Sequence, residues 1–229
     1  MTILVLGGTG RVGSSAISHL LASGQKVKAI VRNVDKLPKD DNLVGIKQVG
    51  DFPVVTAADL EGVTGVISCL GHVMSVSNVL FDKTWVKQSA VQVIETIEAS
   101  KPSTPIKFIQ LNSAGVNNPL GHDQRPFGDK PVLAISSLVR PFVDSRETGR
   151  YLASIKSQYV DWCAVRPCNF VEGEQKPYTV TEDIKVSVFS DATIQIGSIG
   201  HFISELATKD ELWGQWKGKM PFLKDAKDH

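Results

Sequence analysis

Residues 7–13 read Gly-Gly-Thr-Gly-Arg-Val-Gly, directly after an apolar run at 2–6. Two spacings fit this stretch. Gly8, Gly10 and Gly13 satisfy G-x-G-x-x-G, while Gly7, Gly10 and Gly13 satisfy G-x-x-G-x-x-G. Both need a turn residue at unusual φ, a position without Cβ where a pyrophosphate approaches, and a close helix–strand contact. A helix opening at Arg11 would turn its free N–H groups and positive dipole end toward phosphates, with Thr9 and Val12 in the same turn. The strand–turn–helix context, more than the glycines, points to a dinucleotide site.

The end of the second strand separates the two nicotinamide dinucleotides. An acid there would bond a ribose 2′-OH and repel a 2′-phosphate, but the chain has Arg32 in "VRN" and no acid until Asp35. A guanidinium suits a phosphate, so NADP(H) is the expected cofactor, with NAD(H) as the alternative. Arg11 can reach the same phosphate or the pyrophosphate. Asp51, closing the third strand in "GD", is placed to accept a bond from the adenine amino group.

A second set of residues clusters at later strand ends. Leu70 and Gly71 close the fourth strand where the nicotinamide ribose is expected, and His72 follows as a proton relay or a structural residue. Ser113 ends the fifth strand. Its hydroxyl can donate to a substrate carbonyl or tie down the loop that follows. Pro167 ends the sixth, with Asn169 and Phe170 at the pocket edge, and His122 lies in the loop between.

These positions depend on an alternation of strands and helices. Apolar runs at 2–7, 26–33, 44–51, 65–71, 106–113 and 161–167 predict strands. Helical spacing appears at 14–23, 82–100 and 142–157. Strands buried on both faces and joined by helical crossovers imply an α/β, Rossmann-type doubly wound parallel sheet, helices on both faces, in one domain over 1–229. Residues 114–137 lack periodicity and follow the fifth strand, so they fall on the carboxyl edge where ligands bind. An edge strand at 183–189 and a helix at 198–207 are expected in a small C-terminal cap, with the substrate region drawn from 114–141 and 168–198.

Composition narrows the classes further. With 25 basic and 24 acidic residues the chain lacks the one-signed field of a nucleic-acid groove or a polybasic membrane patch. Cys69, Cys163 and Cys168 lie in apolar runs without metal-ligand spacing, so free thiols and no metal are expected. An apolar strand beginning by residue 3 and no run of spanning length make the expected location cytoplasmic. The expected partner is a small-molecule acceptor.

"LVLGGTGRVG", "VRN", "VGD", "VISCLG", "FIQLNSAGV" and "DWCAVRP" occur in the order seen in atypical short-chain dehydrogenase/reductases. The chain resembles the NAD(P)H-binding, NmrA-like group that includes flavin and biliverdin reductases, over nearly its whole length. The resemblance implies that Ser113 faces nicotinamide and substrate. In the dehydrogenase members a Tyr and a Lys four residues later share one helix face. Here the residues four after Tyr151, Tyr159 and Tyr178 are Ile155, Cys163 and Glu182, so that pair is missing. Two functions are compatible with this. One is an NADP(H)-dependent oxidoreductase passing hydride directly to a conjugated, flavin- or quinone-like acceptor, the cofactor carrying the chemistry. The other is a non-catalytic NAD(P)-binding redox sensor or accessory protein. An epimerase-like enzyme is disfavoured, because it too would rely on Tyr–Lys.

Overall fold

The computed structural model describes residues 1–71, 85–121, 123–136 and 139–226. The chain opens with β1 (Thr2–Leu6), α1 (Arg11–Ala22), β2 (Lys26–Val31), β3 (Leu43–Lys47) and β4 (Val63–Ser68). It continues through α2 (Trp85–Ser100), β5 (Ile106–Leu111), α3 (Lys130–Ser136), α4 (Arg140–Ser154) and β6 (Val160–Pro167). The last part holds β7 (Asn169–Val171), β8 (Tyr178–Thr181), β9 (Thr193–Gln195), α5 (Ile196–Thr208), α6 (Asp210–Trp216) and β10 (Phe222–Asp225).

One eight-stranded sheet runs in the order β3-β2-β1-β4-β5-β6-β10-β8, and β7 pairs with β9 beside it. Pairing is parallel throughout the large sheet except between β10 and β8. The chain winds outward from β1 to β3, then returns to place β4 on β1's other side, so the topological switch lies between β1 and β4. Carboxyl strand ends at such a switch form the ligand crevice of this architecture.

Why these runs become strands follows from their two faces. In β1, Ile3 and Val5 enter the cluster beneath α1 and α5, while Leu4 and Leu6 enter the one beneath α2 and α4. Neither face meets water from Ile3 to Leu6, and that run is continuously apolar. Gly200 on α5 lies so close to α1 that a Cβ there would sit 2.2 Å from Ser15 Oγ. Through this contact α5 joins α1 on the sheet face, so the expected helix at 198–207 is a core element outside the cap.

Two further expectations are corrected. Residues 183–189 are irregular and form no edge strand; the antiparallel strand is β8, five residues earlier. The stretch 114–137 contains α3, preceded by a 3-10 turn over Phe127–Asp129. Trp162 is buried in the α2 and α4 cluster, and Trp85 packs against that cluster.

Candidate functional site

The glycine turn fits a phosphate. Gly7 has φ +75°, so it is the residue that takes the left-handed conformation. A Cβ on Gly13 would lie 2.3 Å from the Gly7 carbonyl oxygen, and one on Gly8 2.7 Å from Ile17 Cδ1. Gly13 thus seats the helix start against the strand end, and Gly8 packs the helix body. At Gly10 a Cβ would meet only Gly7 O, at 3.2 Å, so this face of the turn is open. Gly10 is the N-cap of α1, yet no side chain caps the helix and its first turn carries no acid. The first N–H groups of a helix have no partner inside it, so an anion here would complete the cap. Thr9 is half-buried and Val12 buried in the same turn.

Around this turn the predicted residues divide. Arg32 is exposed one residue past β2 and makes no ion pair among the described residues, which leaves its guanidinium available. The register Leu6↔Ile30 puts it level with Gly8. Asp51 is exposed but four residues beyond the end of β3 at Lys47, so it does not close that strand. Arg11 is already engaged: its Nη1 lies 3.4 Å from Glu172 Oε1 and its guanidinium carbon 5.1 Å from the Phe170 ring centroid. His72 and His122 lie outside the described residues.

A cavity of about 540 Å³ opens along the carboxyl ends of β4, β5 and β6, and Leu70, Gly71, Ser113 and Pro167 all line it. The sheet edge thereby brings together the residues predicted from three separate strand ends. Asn112 and Gly115 set Ser113 in place. The Ser113 N–H donates to Asn112 Oδ1 at 2.8 Å, and Asn112 Nδ2 donates to the Ser145 carbonyl at 3.1 Å. Gly115 N–H donates to Ser113 Oγ at 3.0 Å. The hydroxyl oxygen is therefore used as an acceptor by the loop, and this bond leaves the hydroxyl proton able to donate elsewhere.

The cavity holds few groups that titrate. Among its described lining residues Arg125 is the one charged side chain. Cys168 also lines it, but burial, with Asp225 nearby, pushes that thiol up to about 12. Burial likewise pushes the Cys69 thiol up to about 12 and raises that of Cys163, so none is a thiolate near neutrality. The tyrosines are elsewhere. Tyr151 packs against the α2 and α4 cluster, its phenol raised by burial and by Glu95 and Glu98. Tyr178 is bonded to His201 Nδ1 at 2.9 Å and is pushed up to about 12 by burial and Glu205.

Sequence reasoning missed what holds the far wall. Arg166, fully buried in β6, pairs with Asp123 at 2.7 Å. Its Nε donates to Met220 O at 2.9 Å, Nη2 to Glu182 O at 2.9 Å and Nη1 to Val116 O at 3.4 Å. Asp123 in turn accepts from Asn118 N at 2.6 Å and Ile184 N at 3.0 Å. Burial alone would raise the Asp123 carboxyl. Arg166 and these two N–H groups outweigh it and hold the pKa below the ordinary aspartate value. Asp129 makes a second tie, accepting from Ser187 Oγ at 2.6 Å and Val188 N at 2.9 Å. An arginine behind the apolar run Trp162–Val165 was the available signal, since a buried charge requires a partner.

Residues 7–210 match the family model described as NAD(P)H-binding. The chain belongs to this NAD(P)H-binding family. The match bears out the atypical short-chain dehydrogenase/reductase resemblance. No curated protein matches the chain by sequence. Among solved structures, a Lactobacillus casei protein is 22% identical, with TM-score 0.70, covering 99% of this chain and 100% of that one. The oxidoreductase ylbE from Lactococcus lactis is 21% identical, with TM-score 0.70 over 99% of this chain and 92% of that one. A candidate NADH-flavin reductase from Streptococcus pneumoniae TIGR4 is 18% identical, with TM-score 0.68 over 99% and 100%. At these identities they share the fold. Among the described residues no helix is long and apolar enough to cross a membrane.

Proposed function

We propose that this protein is an NADP(H)-dependent oxidoreductase that reduces a small conjugated, flavin- or quinone-like acceptor. The carrying observation is the 540 Å³ cavity: apolar over most of its wall, with a free hydroxyl proton on Ser113 and no carboxylate, histidine, lysine or tyrosine among its described lining residues. Such a wall suits an acceptor that takes hydride without side-chain proton transfer. The dinucleotide, when bound, supplies that hydride.

The chain's own residues do the rest. Gly7, Gly8, Thr9, Gly10, Val12 and Gly13 form the pyrophosphate cradle, and the helix start caps it. Arg32 holds the 2′-phosphate, and Arg11, beside the turn, adds positive charge. Leu70, Gly71 and Pro167 shape the nicotinamide end. Ser113 donates to the acceptor carbonyl and steadies negative charge as it develops. Asp51, exposed past β3, is proposed at the adenine end.

The test is NADPH oxidation with a panel of flavins, quinones and dyes. Turnover is expected, with Ser113→Ala lowering kcat/KM about tenfold or more. Tight dinucleotide binding without turnover of any acceptor would overturn the enzyme in favour of a redox sensor. Arg32→Ala is expected to weaken NADPH about tenfold while sparing NADH, the loss of one charged hydrogen bond. Equal losses for both would refute the 2′-phosphate assignment.

A further inference from the structure

A second cavity, about 320 Å³, lies between residues 115–119 and α4. It adjoins the larger one, because Gly115, Leu133 and Phe142 line both. Phe142 is the partition, its ring lying so close to Gly115 that a Cβ there would meet Cε1 at 2.4 Å. Beyond this partition the wall gains two cations, Arg146 and Arg150.

Asn118, only 5% exposed, lines the second cavity. Its Oδ1 accepts from Leu120 N at 3.0 Å, which fixes the amide orientation and leaves Nδ2 buried with no acceptor. Arg146 also lines the cavity, and its Nε is buried without a hydrogen bond; Glu147 Oε1 stands 3.6 Å away. Arg150, one turn along α4, bonds the same Glu147 oxygen at 2.9 Å, and Lys87 Nζ lies 3.9 Å from Oε2. Three cations share one carboxylate. Two buried donors, from a loop and from a helix, lack acceptors at the same cavity, and leaving such groups unmade is costly. An oxyanion with several acceptor oxygens answers both the charge excess and the missing acceptors.

We propose that this cavity is an anion subsite that takes a phosphate or carboxylate group carried by the acceptor, whose conjugated ring occupies the larger cavity. The proposal rests on the reductase reading and adds the charge class of the substrate. The cradle for the dinucleotide's own phosphates is elsewhere, at β1. That strand lies three positions from β6 in the sheet, roughly 14 Å at the usual strand spacing.

Flavin mononucleotide and riboflavin share one ring and differ by a phosphate, so they test the subsite directly. Wild-type protein is expected to show a KM about tenfold lower for flavin mononucleotide, one charged contact's worth of discrimination. The Arg146→Gln/Arg150→Gln double variant should bring that ratio close to one, and Arg146→Lys/Arg150→Lys should restore part of it. Equal KM values for the two flavins in wild type, or a ratio that survives the double glutamine variant, would overturn the proposal. Equilibrium quenching of each flavin's fluorescence by NADP⁺-loaded protein gives the same ratio without turnover, so failure of the reductase reading and of the anion subsite are told apart. Inorganic phosphate should compete with flavin mononucleotide and not with riboflavin. Phosphate binding without any discrimination between the flavins would mean a free-anion site and overturn the link to the acceptor.

Discussion

At the β1 end of the sheet edge, seven consecutive residues make the phosphate turn. At the β6 end, the far wall of the cavity is tied together from four separated stretches around 113–125, 166–170, 182–190 and 220–223. The first is a local backbone solution in which missing Cβ atoms let a helix start rest on a strand end. The second depends on charge: Arg166 gathers Val116, Asp123, Glu182 and Met220 around one guanidinium. A site can thus be rigid for two different reasons, and the two fail differently.

Removing the charge should show the larger effect. Arg166→Met leaves Asp123 buried without its partner, so about 3–5 kcal/mol of stability should be lost in chemical denaturation. Adding Asp123→Leu should recover much of that, because the uncompensated charge is then gone. A double variant no better than the single would mean that packing, not charge, holds this wall.

At the other end, Gly13→Ala forces a Cβ into the Gly7 carbonyl. It should cost about 1–3 kcal/mol by overpacking, with a matching loss of dinucleotide affinity in a binding titration. Retention of full affinity would show that the turn can relax.

Acid should separate the two ends as well. The folded-state pKa of Asp123 is lowered, so its contribution is fully present above the unfolded value of about 3.9 and is lost as pH falls through the folded one. The stability gap between wild type and Asp123→Asn should therefore narrow below about pH 4, while the gap for Gly13→Ala stays constant. The smallest effect belongs to Glu172→Gln. Its ion pair with Arg11 is exposed, so stability should change by less than about 0.5 kcal/mol in denaturant titrations.

The same contrast explains what could be read from the chain. The turn and β1, β4, β5 and β6 were legible because each depends on contiguous residues: glycine spacing, or apolar runs buried on both faces. Arg166 stood in plain view within "DWCAVRP", but its acid is 43 positions earlier in a stretch with no periodicity. Residues 183–189 misled for a physical reason. Ile184, Val186 and Val188 alternate as in a strand, yet that alternation is spent lining the cavity. Asn118 gave no signal at all, since an asparagine before proline reads as an ordinary turn residue.

The place of β10 has a consequence for the order of events during synthesis. Phe222 lines the larger cavity, and Met220 and Pro221 accept from the Arg166 side chain and backbone. This strand slots between β6 and β8 after everything else in the large sheet has been made. A growing chain can complete its glycine turn once β1, α1 and β2 have emerged, but the cavity at the β6 end must wait for the residues near 222. Until then Arg166 sits at a ragged sheet edge with two of its carbonyl partners missing. Partly made chains would therefore acquire the glycine turn well before they acquire the complete cavity beside Ser113.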